Sequence, residues 1–461
     1  MNSAFHLVTV KFILSSDSGD RMEELKKVEE LIVSFFCESH DFNGIPLRQI
    51  SQDLGLEYEY SIDLVKELVK SEIASIQSSS NPHIIGFSHH KVDSQLQVLD
   101  HAKTTKVESQ KIGVLEILIE KTEYPICVYP TKILLEKSRD LTIFGNAKYT
   151  TQLALAEPQL TFRFFETDVL ERYSNDPRFD FKFHDFNGSI SCQYDENCNP
   201  ILREEERIFL KSFGLGFDSE SNRVVVVLLR DLSKLSWEHQ VYWSTKEIPF
   251  SECKVLEDHF NNVILGQWIT SKSMFSALID EINAIYKLTA SIFGTPLFLK
   301  EFDGQDSPKN FTFFFSPTSK NYYDFINLLD KLLSENINKS FFEGILELEE
   351  LKLIDGDIYE RVRKGTLRLL EEWIVLSFRF PDNSYSSKML NPLKKVRKER
   401  QTPAHKVVDN KYDKSYFAKQ KSIMEDCYFS ITSLRRNLQT HPDAHLVELA
   451  PYLDKVDVKY F

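Results

Sequence analysis

Arg400 and His405 are the pair in this 461-residue chain best suited by type and spacing to act together on an anion. A histidine exchanges protons near neutral pH, its unperturbed pKa being about 6.5. An arginine stays charged and offers a two-pronged donor fork to phosphate oxygens. On an ideal helix, residues five apart stand about 140° around the axis, so the two side chains would diverge. Pro403 forbids a continuous helix through it and drives Thr402 toward extended geometry. Arg400 is therefore expected to end one element, with His405 beyond a kink. The two converge on one phosphate only through that break, or across a dimer.

The surroundings are basic. Residues 386–436 carry 13 Lys and Arg against five acids, a local balance of +8 that leaves −21 on the other 410 residues. Charge is segregated, and a basic face on an acidic protein focuses a polyanion at one place. The net charge of −13 excludes a uniformly basic nucleic-acid coat. Lys394, Lys395, Arg397, Lys398 and Lys406 lie closest in sequence to the pair and are the candidate backbone contacts, Arg397 one turn before Arg400. The same lysines also suit plain solvation of helix faces. Tyr412 and Tyr416 offer rings for base stacking, or core for a long amphipathic helix.

These residues must be positioned by helices. After Phe311 the β pattern ends, and four apolar-periodic stretches follow at about Asn321–Lys339, Thr366–Phe380, Ser386–Arg400 and Asp413–Thr440. Asp413 is placed to cap the last. Short connections make an antiparallel bundle the expectation. The run Arg400-Gln401-Thr402-Pro403-Ala404-His405 at the end of a bundle helix resembles the R-x(4–6)-H motif of the HEPN superfamily of helical-bundle ribonucleases. The resemblance covers about Asn321 to Leu438, a quarter of the chain.

What the resemblance implies is a metal-independent RNA endonuclease, commonly a homodimer with facing motifs, of the kind found in bacterial defence and toxin systems. The residue types fit that chemistry. The 2′-hydroxyl must lose a proton, the phosphorane charge must be stabilised and the leaving oxygen must gain a proton. His405 suits the proton transfers and Arg400 the charge. Two departures stand out. Gln401 follows the arginine where such motifs often carry Asn, Asp or His, and Pro403 precedes the histidine. A purely structural reading also fits the pair, with His405 capping a helix and Arg400 paired to an acid such as Glu399 or Asp409.

Upstream, helical periodicity at Leu25–Phe36, Pro46–Leu54 and Glu59–Ser71, followed by β-type runs Ile73–Gln77 and His83–Phe87, resembles a winged helix-turn-helix. Its third helix carries Glu57, Glu59, Asp63 and Glu67 against Lys66 and Lys70, which repels phosphates and points to protein contact rather than DNA reading. Met1–Leu14 reads as a strand or short docking segment, and Lys91–Lys111 as a linker. In the middle region, strands are expected at Ile112–Glu120 and Tyr124–Tyr129, and helices at Phe164–Tyr173, Trp237–Trp243 and Met274–Phe293. Hairpins are expected at Phe179–Cys192 around Asn187-Gly188 and at Phe209–Leu229. No phosphate-binding loop, dinucleotide fingerprint or nucleophile elbow is found in that region.

The expected protein is α+β and multi-domain. Residues 1–100 form a winged-helix-like module, 101–311 a central α+β domain with an antiparallel sheet and an unassigned ligand, and 312–461 the bundle. Six scattered cysteines without metal spacing, no long apolar run and no basic leader point to a cytoplasmic protein with reduced thiols. No metal, cofactor or membrane is expected. The second functional expectation is a non-catalytic adaptor or regulator that uses the module and bundle for protein or nucleic-acid contact.

Overall fold

The computed structural model describes residues 6–39, 42–77, 81–86, 90–104, 107–112, 115–120, 125–268, 271–302, 308, 310–355, 358–379, 384–401, 409–450, 453–454 and 458–460. The protein is α+β. Its largest sheet has seven strands in the order Glu247–Ile248, Phe162–Glu166, Arg223–Leu228, Leu210–Asp218, Asn187–Cys192, Phe179–His184, with Cys253–Val255 pairing antiparallel to Leu210–Asp218. The chain divides into two compact units. One comprises Met1–Phe164, Leu202–Lys211 and Val226–Phe250, and the other Phe165–Ile201, Ser212–Val225 and Ser251–Phe461.

The first unit opens with α1 (His6–Glu38), α2 (Leu47–Leu54) and α3 (Tyr58–Lys70). Residues 6–14 are thus helical rather than a strand. Extending an established helix needs no new nucleus, so the strong periodicity of Leu25–Phe36 propagates backward. Val28, Ile32, Ile50, Ile62, Val65 and Val69 meet in one core. A three-stranded sheet completes it in the order Ile45–Pro46, Cys127–Pro130, Ala74–Gln77, with Val128 opposite both Ile45 and Ile76. This is the winged-helix-like order, but the third strand is not His83–Phe87. There Asn81 Oδ1 accepts from His83 N at 2.9 Å and Asn81 O from Ile84 N, turning residues 82–84; Phe87 lies outside the described residues.

The expected linker at 91–111 is instead α4 (Val92–Thr104) followed by a strand, Val107–Ile112, that pairs with Leu115–Glu120. The apolar stripe of α4 is narrow, Leu99 and Ala102 being its buried apolar residues. It docks through polar groups: Gln95 Oε1 accepts from Ile76 N at 3.0 Å, and Lys103 pairs with Asp63 at 2.6 Å. Lys66 pairs with Asp100, and Arg21 of α1 with Glu67 at 3.0 Å. Asp63, Lys66 and Glu67 of α3 are therefore paired with its own neighbours.

In the second unit the Phe179–His184 and Asn187–Cys192 hairpin forms as expected, but turns at Asp185-Phe186, immediately before Asn187-Gly188. Asp185 takes the left-handed conformation (φ +53°). Gly188 sits inside the strand because the Phe213 ring occupies the space a side chain would need. Phe164–Glu166 belong to a strand, and only Thr167–Ser174 make helical turns. Of the expected helices, Trp237–Trp243 is present in the first unit as Trp237–Ser244, and Met274–Phe293 in the second as α5.

The C-terminal helices are α6 (Ser319–Asp330), α7 (Thr366–Ser377), α8 (Ser384–Gln401) and α9 (Ser415–Leu438). Helix α9 packs against α5 and α8, and α8 against α6 and α7. The expected first bundle helix, 321–339, ends as α-helix at Asp330 and widens to an i→i+5 turn over Lys331–Glu335. The β pattern does not end at Phe311. Glu349–Asp355 and Ile358–Arg363 form an antiparallel hairpin, and Val458–Lys459 pairs parallel to Lys272–Ser273. The hairpin escaped the sequence reading because its Leu351, Leu353 and Tyr359 are exposed. All six cysteines are free thiols. Among the described residues no helix is long and apolar enough to cross a membrane.

Candidate functional site

Arg400 is held by helix-helix geometry. Met389, Leu390, Leu393 and Val396 form the buried stripe of α8, and Arg397 and Arg400 continue it, four residues after Leu393 and Val396. On α6 the buried stripe runs Tyr322, Phe325, Ile326, Leu329 and then Asp330. Asp330 falls on that stripe four residues after Ile326, so its carboxylate points inward and is fully buried. Its Oδ2 accepts from Arg397 Nη1 at 2.7 Å and from Arg400 Nη1 at 2.6 Å. Glu335, at the end of the widened turn, accepts from the same Arg400 Nη1. The Asp330 bond, then the Glu335 bond, push the Arg400 pKa up, so the guanidinium is a fixed cation.

Asp330 Oδ1 and Ser334 Oγ are buried without a hydrogen-bond partner. The two carboxylates differ in kind. Asp330 is sealed from solvent, whereas the Glu335 side chain is 42% exposed. An incoming phosphate could displace Glu335 while Asp330 keeps the guanidinium in place. Neither acid is the partner expected for Arg400. Glu399 accepts instead from Tyr322 Oη, and burial, followed by that carboxylate, drives the phenol pKa up. Asp409 offers its backbone carbonyl to Ser319 Oγ at 3.2 Å.

The candidate backbone contacts spread along the outer face of α8. Lys388, Lys395 and Lys398 are exposed, and Lys394, also exposed, pairs with Glu371 at 2.7 Å. At about 100° per residue these four lysines stand about 120–160° around the axis from Arg400, so the basic stripe and the Arg400 guanidinium lie on different faces of α8. His405 and Lys406 lie outside the described residues, which end at Gln401 and resume at Asp409. Tyr412 is 66% exposed, as a stacking residue must be, whereas Tyr416 packs on Tyr322 with ring centroids 5.0 Å apart. The N-cap of α9 is Lys414, without a side-chain cap bond, rather than Asp413, which stands one residue earlier and whose Oδ1 accepts from Ser415 N at 2.9 Å. Among the described residues no cluster of His, Cys, Asp and Glu has the makings of a metal site.

Sequence reasoning missed Asp330 and Glu335. The available signal was an acid on an apolar stripe, Ile326-Leu329-Asp330-Leu333, where a charge needs a partner from a facing helix. Scanned against models of protein families, the chain matches none, and searches of curated proteins and of solved structures return no match.

Proposed function

We propose that the C-terminal helices form a metal-independent RNA endonuclease resembling the HEPN type, acting as a homodimer in a bacterial defence or toxin setting. Lys394, Lys395, Arg397, Lys398 and Lys406 hold the RNA backbone. His405 takes the proton of the 2′-hydroxyl, whose oxygen attacks the adjacent phosphorus. Arg400 stabilises the phosphorane charge. The 5′-oxygen then leaves with the proton returned by the His405 imidazolium, giving a 2′,3′-cyclic phosphate and a 5′-hydroxyl end. The N-terminal module serves protein contact in a cytoplasmic protein.

The observation that carries this reading is the anchoring of Arg400. A buried carboxylate fixes its guanidinium at the end of a helix whose outer face is basic, and its second partner, Glu335, is open to exchange. The test is purified full-length protein incubated with structured and unstructured RNA in EDTA. Cleavage is expected, and it disappears in Arg400→Ala and His405→Ala proteins that keep their circular dichroism. Intact RNA with the wild-type protein, alone and with candidate activators, refutes it.

A second reading, a non-catalytic adaptor, is favoured by one observation: the cluster Asp330–Glu335–Arg397–Arg400 is already electrically balanced. In that case Arg400→Ala lowers stability and leaves every RNA intact.

A further inference from the structure

In the first unit, a pocket of about 310 Å³ is lined by Lys148, Phe162, Arg163, Phe164, Glu247 and Phe250, among others. Its volume sits at the lower end of small-molecule sites, and its lining has their usual make-up of aromatic walls with a few fixed charges. One oxygen of its carboxylate is engaged. Glu247 Oε2 accepts from Lys148 Nζ at 2.6 Å and from Tyr149 Oη at 2.9 Å. Burial, then this carboxylate, raises the Tyr149 pKa, so the hydroxyl remains a donor.

The donors are not spent. Arg163 is held through Nη2 by Glu157 and by Gln152 at 3.3 Å, which leaves Nε buried with no hydrogen-bond acceptor. Glu247 Oε1 stands 3.9 Å from it, too far for a hydrogen bond. A buried N–H without an acceptor is costly, and an anion entering the pocket would supply one. Lys148, with a side chain 44% exposed, has ammonium protons beyond the one given to Glu247. The aromatic part is one exposed ring beside a buried one, the two tilted by 56°. Phe250 is 61% exposed, with its ring 5.7 Å from that of Phe164.

We propose that this pocket binds a mononucleotide, with the phosphate on Lys148 and Arg163 and the base against Phe250. The proposal is independent of the nuclease reading, because it concerns other residues and is read by binding rather than by cleavage. The test is calorimetric titration of the full chain with the four ribonucleoside 5′-monophosphates and with inorganic phosphate. At least one nucleotide is expected to bind with a Kd below about 1 mM, and inorganic phosphate at least about tenfold more weakly. Phe250→Ala and Lys148→Met change exposed side chains, and their thermal melts confirm folding. Each is expected to weaken the nucleotide about tenfold or more, while Arg400→Ala leaves its affinity unchanged. Absence of saturable binding by all four nucleotides overturns the proposal. So does equal affinity for inorganic phosphate, or an affinity that both pocket substitutions leave untouched.

Discussion

Replacing Asp330 by Asn removes one buried negative charge and keeps the volume. In the native protein its Oδ2 receives two charge-assisted bonds, from Arg397 and Arg400. Each such bond contributes about 1.5–3 kcal/mol net. Breaking a fully buried ion pair costs about 3–5 kcal/mol when the survivor stays buried. Here the surviving arginine side chains are 34% and 29% exposed and can hydrate, and Arg400 keeps Glu335. The expected loss for Asp330→Asn is therefore toward the lower end, about 2–3 kcal/mol. Removing the partners instead reverses the situation. Arg397→Ala with Arg400→Ala strands a carboxylate that is 0% exposed, so it is expected to cost more, about 3–5 kcal/mol. Adding Asp330→Asn to that double variant should then restore stability rather than lower it further. Hydrogen exchange of α6 and α8 amides, read by mass spectrometry, localises the effect. A loss of 2–3 kcal/mol speeds exchange about 30- to 150-fold where opening limits it. Unchanged exchange in Asp330→Asn, or a triple variant less stable than the double, would refute the claim that Asp330 positions the two guanidiniums.

Glu335→Gln removes the exchangeable partner of Arg400; on the nuclease reading, filter binding should show RNA held more tightly by the variant, by about threefold to tenfold. His259 is 2% exposed, with Nδ1 against Asn187 Oδ1, and burial lowers its pKa to about 4 from 6.5. The unfolded chain takes up that proton first, so stability falls as pH drops from 6.5 to 4, by up to about 3 kcal/mol; urea midpoints of wild type minus His259→Gln across that window isolate the slope. A methyl group at Gly214 would collide with the His259 ring, so Gly214→Ala should cost about 3 kcal/mol or more, measured by urea unfolding. Arg435 and Glu281, both fully buried, pair with Nη2–Oε1 at 3.0 Å; Arg435→Met alone should cost about 3–5 kcal/mol, and Arg435→Met with Glu281→Leu much less, checked by the same melts.

How far the sequence carried can be seen from those same helices. The extents of α5, α7, α8 and α9 were legible because apolar residues at helical spacing record which face is buried, and burial is most of what holds a helix in place. The module's third strand was legible as a strand at Tyr124–Tyr129, but its place in this sheet was not. Cys127–Pro130 pairs with Ala74–Gln77 across about 50 intervening residues, and nothing local at Cys127 states its partner. Helix α4 was missed for a related reason. Its docking rests on Gln95, Lys103 and Asp100, and hydrophobic periodicity does not register polar contacts. The candidate site is the extreme case, since Arg400 was visible while the carboxylates that fix it were not. Yet Asp330 occupies a position of the kind Glu281 and Arg435 occupy. Glu281 lies among Leu278, Ile282 and Ile285, and Arg435 among Ile431, Leu434 and Leu438. A charge on an apolar stripe cannot stay unpaired, so each demands an opposite charge from a facing helix. Asp330 meets Arg397 and Arg400, and Glu281 meets Arg435. Matching such misplaced charges between helices pairs α6 with α8 and α5 with α9, which hydrophobic periodicity alone leaves open.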